Sequence, residues 1–152
     1  MRHRQPGRAK GGADACNDAF AARREAVDVT TRARLVRLDH VQLAMPAGHE
    51  DEAAAFYEGL LGLRRVQKPP RLEARGGCWF EDGDVVVHLG VDPRFAPATK
   101  AHPAFLVEGL DELCGRLEDS GVAVTFDHEL PGVRRCYVAD PFANRLELID
   151  AE

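Results

Sequence analysis

The chain has 152 residues, 45% hydrophobic and 30% charged, with a formal net charge of −5. That composition suits one ordinary globular domain. No apolar run approaches the roughly 18 residues of a membrane span, and no apolar signal segment opens the chain.

Charge is unevenly spread. Residues 1–37 carry nine Lys/Arg against four Asp/Glu, and the remainder eleven against twenty-one. The acidic body disfavours a phosphate-rich partner. The basic segment has no aromatic interleaving or DNA-binding motif, so it reads as a solvated tail rather than a nucleic-acid arm. Cys16, Cys78, Cys114 and Cys136 form no C-x-x-C pair and read as free thiols of a reducing cytoplasm.

Residues 1–15 lack apolar periodicity and are expected to be disordered. Asn17 or Asp18 is placed to cap a short helix through Ala26. The ordered domain is expected over 37–150, after an extension of 1–36. Leu38–Met45 alternates as a strand, with Val41, Leu43 and Met45 on one face and His40, Gln42 and Ala44 on the other. Glu50–Leu61 is predicted helical, because Ala53, Phe56, Tyr57, Leu60 and Leu61 form one apolar stripe. Gly62 terminates it. Strands follow at Leu63–Gln67, Ala74–Glu81 and Asp84–Val91, the last two joined by an Asp82-Gly83 turn. Residues 92–100, with two prolines, form a linker.

The pattern then recurs: a strand at His102–Val107, a helix at Leu110–Asp119, and strands at Val122–Phe126, Val133–Val138 and Arg145–Ile149. Gly121 falls 59 positions after Gly62. A period near 60 indicates a duplicated unit, with module one at 37–91 and module two at 101–150. The fold class is therefore α+β: two tandem βαβββ modules forming a cupped, mostly antiparallel sheet with helices on its outer face.

His40 and His102 are 62 positions apart, and His88 and Glu147 are 59 apart. Each lies opposite the apolar face of its predicted strand, so all four are expected to project into one concavity. Three imidazoles and one carboxylate suit a borderline divalent ion such as Zn²⁺, Ni²⁺, Co²⁺, Fe²⁺ or Mn²⁺. Mg²⁺ or Ca²⁺ would want more oxygen. By the same alternation Trp79, Arg135 and Tyr137 are candidates to line the substrate pocket, and Gln42 to stand beside His40. Arg145 shares parity with Glu147 but sits at the strand's entry and reads as structural. Arg134, His49 and His128 read as solvated.

The segments LDHVQLAMP (Leu38–Pro46), AAFYEGLLGL (Ala54–Leu63), VVVHLGV (Val85–Val91), AHPAFLV (Ala101–Val107) and DPFANRLELI (Asp140–Ile149) resemble the signature segments of the vicinal oxygen chelate superfamily. Glyoxalase I, bleomycin-resistance proteins, fosfomycin-resistance transferases, methylmalonyl-CoA epimerase and extradiol dioxygenases belong to it. The resemblance implies metal ligands at His40, His88, His102 and Glu147, with Glu147 also serving as general base. It also implies a homodimer; the exposed edges of a cupped sheet point the same way.

Two departures stand out. Ala143 occupies a position where the family usually has glycine. His88 stands where glyoxalase I has a second glutamate, which weakens the glyoxalase reaction itself. The expected activity is a glyoxalase-like lyase or isomerase acting on a small substrate chelated through adjacent oxygens. One alternative is an iron dioxygenase using His40, His102 and Glu147; the other is a non-enzymatic antibiotic-binding resistance protein.

Overall fold

The computed structural model describes residues 33–98 and 100–151. The expected helix at Asn17–Ala26, the expected disorder at 1–15, and Cys16 lie outside these residues. Leu38–Glu152 forms one compact unit. The described residues before it, 33–37, contain no helix or strand.

Two βαβββ units follow one another. The first runs β1 (Val41–Met45), α1 (Glu50–Ala54), β2 (Arg64–Val66), α2 (Pro70–Glu73), β3 (Cys78–Asp82) and β4 (Val85–Val91). The second runs β5 (Ala104–Val107), α3 (Leu110–Asp119), β6 (Thr125–Asp127), β7 (Arg135–Ala139) and β8 (Arg145–Asp150). They give two four-stranded sheets, ordered β1-β4-β3-β2 and β5-β8-β7-β6. In each, the first and last strands of the module pair in parallel and the other pairs are antiparallel. The α+β, two-module architecture expected from the repeat is the one observed.

Three local differences have physical causes. The predicted helix over Glu50–Leu61 is α-helical only to Ala54 and continues as a π-helix over Ala55–Leu60, closed by Leu61 N–H donating to the Phe56 carbonyl at 2.9 Å. Gly59 lies inside this stretch, and glycine supports an α-helix poorly. Pro69-Pro70 does more than break a strand: Pro70 opens the short α2, a position its fixed φ suits. The strand predicted from Ala74 begins at Cys78. Just before it, Gly77 has φ +78° and a Cβ there would sit 2.2 Å from the Leu89 carbonyl oxygen, so only glycine lets the chain pass. His40 and His102 fall just before β1 and β5 rather than inside them.

Alternation decides what packs. Met45, Phe80, Val87, Leu89, Cys136, Val138, Leu146 and Leu148 are buried on the apolar faces of the sheets. Against them lie Ala53, Phe56 and Tyr57 from the first helical segment and Leu110, Leu113, Cys114 and Leu117 from α3. Each such large side chain contributes roughly 1.5–3 kcal/mol by leaving water. The described thiols Cys78, Cys114 and Cys136 are free and buried. Burial pushes Cys78 up to about 11 and Cys136 up to about 12.

A buried polar network joins the modules. Asp140 accepts hydrogen bonds from the Tyr57 hydroxyl (2.8 Å), the Phe142 and Asn144 backbone N–H groups (2.9 and 2.8 Å) and Asn144 Nδ2 (2.8 Å). Asn144 Nδ2 also donates to the Ala44 carbonyl at 2.8 Å. Burial and the nearby Asp140 charge raise the Tyr57 hydroxyl well above its usual range, so it remains a donor. The turn carrying these groups includes Ala143 at φ 63°, a left-handed conformation that side chains with a Cβ adopt at a cost.

Candidate metal centre

The polar face of the first sheet is set by register. Gln42 pairs with His88, and His88 with Trp79; directly opposed residues share a face. His40, two residues before Gln42, joins them. The His88 ring lies between two others: Trp79 stacks on it at 4.0 Å and 10°, His40 at 4.2 Å and 27°. His40 Nδ1 is 2.8 Å from Asp39 Oδ1 at the exposed end of the stack. Burial, then the neighbouring His40 charge, lowers the His88 imidazole below its usual range. That favours the neutral form a metal requires. Gln42 is exposed and lies over Gly90.

The second sheet carries the other pair. Glu147 is paired with Ala104 and Tyr137, and His102 precedes Ala104 by two. His102 Nδ1 lies 2.8 Å from the Lys100 carbonyl, to which it donates, and Nε2 is 3.0 Å from Glu147 Oε2. A carbonyl on one ring nitrogen orients the other as a metal donor in many metalloproteins. Glu147 is only 6% exposed. Its second oxygen accepts from Arg135 at 2.7 Å, and Arg135 also binds Asp127 at 3.1 Å. Burial opposes ionisation of Glu147, but the hydrogen bonds from His102 and Arg135 outweigh it and hold the carboxyl below its usual range. Tyr137 meets the His102 ring edge-on at 5.4 Å. All four expected pocket residues, Gln42, Trp79, Arg135 and Tyr137, thus lie on the faces that bear the histidines and Glu147.

One histidine of each pair borders a common space. A cavity of about 340 Å³ is lined by both His40 and His102, together with Asp39, Asp84, Val86 and Ala104. His88 is linked to it through the ring stack and Glu147 through its bond to His102. Even so, among the described residues no three His, Cys, Asp or Glu side chains are grouped closely enough to hold one ion.

The donor set fits a borderline divalent ion in kind. Two donors each about 2.0–2.2 Å from a tetrahedral zinc lie roughly 3.3 Å apart. The 3.0 Å contact of His102 with Glu147 is close to that separation. The stacked imidazoles face each other ring to ring, at 4.2 Å between centroids and 27° between planes, whereas metal-ligating nitrogens meet the ion edge-on, in the plane of the ring. His40 would have to tilt off His88, giving up that stack and an exposed contact to Asp39, 82% exposed at its side chain. Arg135 is the feature that residue spacing does not reveal, since its grip on Glu147 depends on which carboxylates the sheet brings beside it.

The family model described as the Glyoxalase/Bleomycin resistance protein/Dioxygenase superfamily matches residues 37–148. The chain belongs to this superfamily. A glyoxalase family protein from Bacillus anthracis is 45% identical, with a TM-score of 0.76 over 80% of this chain and 99% of that one. A lactoylglutathione lyase from Agrobacterium tumefaciens is 25% identical, with a TM-score of 0.52 over 72% and 91%. An antibiotic-binding protein from a Streptomyces species shares the fold at 19% identity, with a TM-score of 0.61 over 80% and 100%. The comparison with curated proteins finds no match. Superfamily membership makes small-molecule binding the common theme and a divalent metal a frequent one. Among the described residues no helix is long and apolar enough to cross a membrane.

Proposed function

We propose that this chain is a metal-dependent enzyme of glyoxalase type, a lyase or isomerase, whose ion is held by His40, His88, His102 and Glu147. The observation that supports this reading is that one residue of each donor pair, His40 and His102, lines a single cavity, with His88 stacked on His40 and Glu147 bonded to His102. A bound divalent ion would polarise adjacent oxygens of a small substrate as a Lewis acid. Glu147, kept ionised by Arg135, is the general base that takes a proton from the carbon beside those oxygens. Trp79 and Tyr137 provide flat walls, and Arg135 fixes the base. A homodimer is part of the same proposal: β1, β2, β5 and β6 are all sheet edges, and unpaired edges are natural pairing surfaces.

The same donors minus His88 would give a two-histidine, one-carboxylate site of the oxygenase kind. The stacking of His88 between Trp79 and His40 favours this arrangement to the extent that His88 stays in its stack. A ligand-sequestering protein is the remaining reading, favoured by Glu147 being already satisfied by Arg135 and His102. Metal analysis of the purified protein separates the three. Retained Ni²⁺, Co²⁺ or Zn²⁺ is expected for the lyase or isomerase. Retained Fe²⁺ with substrate-dependent oxygen uptake would indicate the oxygenase. No metal on purification and none bound on titration would remove both enzyme readings.

A further inference from the structure

β8 carries a second group aimed at the same face as Glu147. Arg145 lies two residues before it, and its guanidinium carbon is 3.7 Å from the centroid of the Tyr137 ring. Arg145 is half-buried, yet its side chain makes no hydrogen bond or ion pair with any described residue. The carboxylates of the second sheet's polar face, Asp127 and Glu147, are already engaged. Arg135 binds both Asp127 and Glu147, and His102 takes the other oxygen of Glu147. Arg135 also approaches the Tyr137 ring, at 5.7 Å. Tyr137 is therefore flanked by two guanidiniums, only one of which has counterions among the described residues.

A stacked guanidinium gains some stabilisation from the ring, but its in-plane donors are left over, in a fork that matches an oxyanion. Glu147 is partly screened from an anion there by Arg135, which donates to it at 2.7 Å. Since Tyr137 touches both Arg145 and the His102 ring, a group bound by Arg145 is one side chain away from the His102–Glu147 pair.

We propose that Arg145 anchors an oxyanion, a carboxylate or phosphate, so that the substrate of this site is a small acid. Tyr137 is the positioning residue that presents the guanidinium. The proposal rests on reading His102 and Glu147 as the reactive centre, and it narrows the substrate from any vicinal oxygen compound to an anionic one.

The test is calorimetry on protein stripped of metal by a chelating resin, at low salt, with oxalate and with inorganic phosphate as separate probes. Saturable binding of at least one probe is expected, and the tighter of the two identifies the oxyanion. Arg145→Gln should weaken it by about tenfold or more, Arg145→Lys less, because it keeps the charge but loses the fork. Arg94→Gln, which removes an equal charge from an exposed turn, should leave it unchanged. Absence of saturable binding to either probe would overturn the proposal, as would equal affinity in Arg145→Gln or an equal loss in Arg94→Gln. Metal affinity measured in parallel keeps the two readings apart. If the ion binds and the anions do not, only this inference falls; if the ion does not bind, the enzyme reading falls.

Discussion

Tyr57→Phe is expected to destabilise the protein by about 2 kcal/mol. The substitution keeps the ring, which is fully buried and stacked on Phe80 at 5.3 Å, so no cavity opens. It removes one hydrogen bond, the 2.8 Å contact of the hydroxyl with Asp140. A bond to a charged acceptor is worth about 1.5–3 kcal/mol. The lower part of that range applies, because three other donors still serve Asp140. For a chain of this size about 2 kcal/mol corresponds to a fall in melting temperature of roughly 5–8 °C. Urea denaturation with an unchanged m-value measures it directly. Asp140→Ala should cost more, about 4 kcal/mol, since it strands several buried donors at once. In that background Tyr57→Phe should cost almost nothing, giving a coupling energy near 2 kcal/mol. If Tyr57→Phe is as stable as the parent, or costs the same with and without Asp140, the network is not what ties the two modules together.

Ala143→Gly is expected to stabilise. A left-handed alanine costs about 1–2 kcal/mol, and the greater freedom of an unfolded glycine takes back roughly 0.5–1, leaving a gain of up to about 1.5 kcal/mol; a lower melting temperature would show that the positive φ of Ala143 is not a strained feature. His88 makes stability pH-dependent in a definite direction. Its folded imidazole resists protonation while the unfolded one accepts a proton near 6.5, so stability is lost as pH falls below about 6.5. His88→Gln should flatten the stability profile between pH 6.5 and 5; an unchanged slope would show that His88 is not the group responsible.

The repeat and its faces were legible because both are written locally. Side-chain alternation has a period of two, so Val41, Leu43, Val87 and Leu89 announce an inner face, and the register then puts Gln42, His88 and Trp79 on the other. The stripe Leu110, Leu113, Cys114 and Leu117 reads directly as α3. What was not legible depends on distant partners. The π-helical turn after Ala54 is set where Phe56 and Tyr57 must both be buried and Tyr57 must reach Asp140, 83 residues away. The stacking of His40 on His88 and the double grip of Arg135 on Asp127 and Glu147 follow from strand pairing and not from spacing. Arg145 shows the limit well: its parity with Glu147 is plain in the sequence, but that it has no counterion among the described residues emerges only once Arg135 is seen to hold Asp127 and Glu147. Ala143 was visible as a departure from a glycine position, and its φ of 63° gives that departure a structural meaning.

The central claim is that His40, His88, His102 and Glu147 hold one divalent ion. Titration of metal-stripped protein with Ni²⁺ or Zn²⁺, followed by calorimetry, addresses it most directly. The account predicts one ion per site, loss of that binding in His102→Ala with the fold retained by circular dichroism, and a similar loss in Glu147→Gln. Weakened binding in His88→Gln would mark a four-ligand site, and unchanged binding there a three-ligand one. Full metal affinity in the His102→Ala variant would contradict the account.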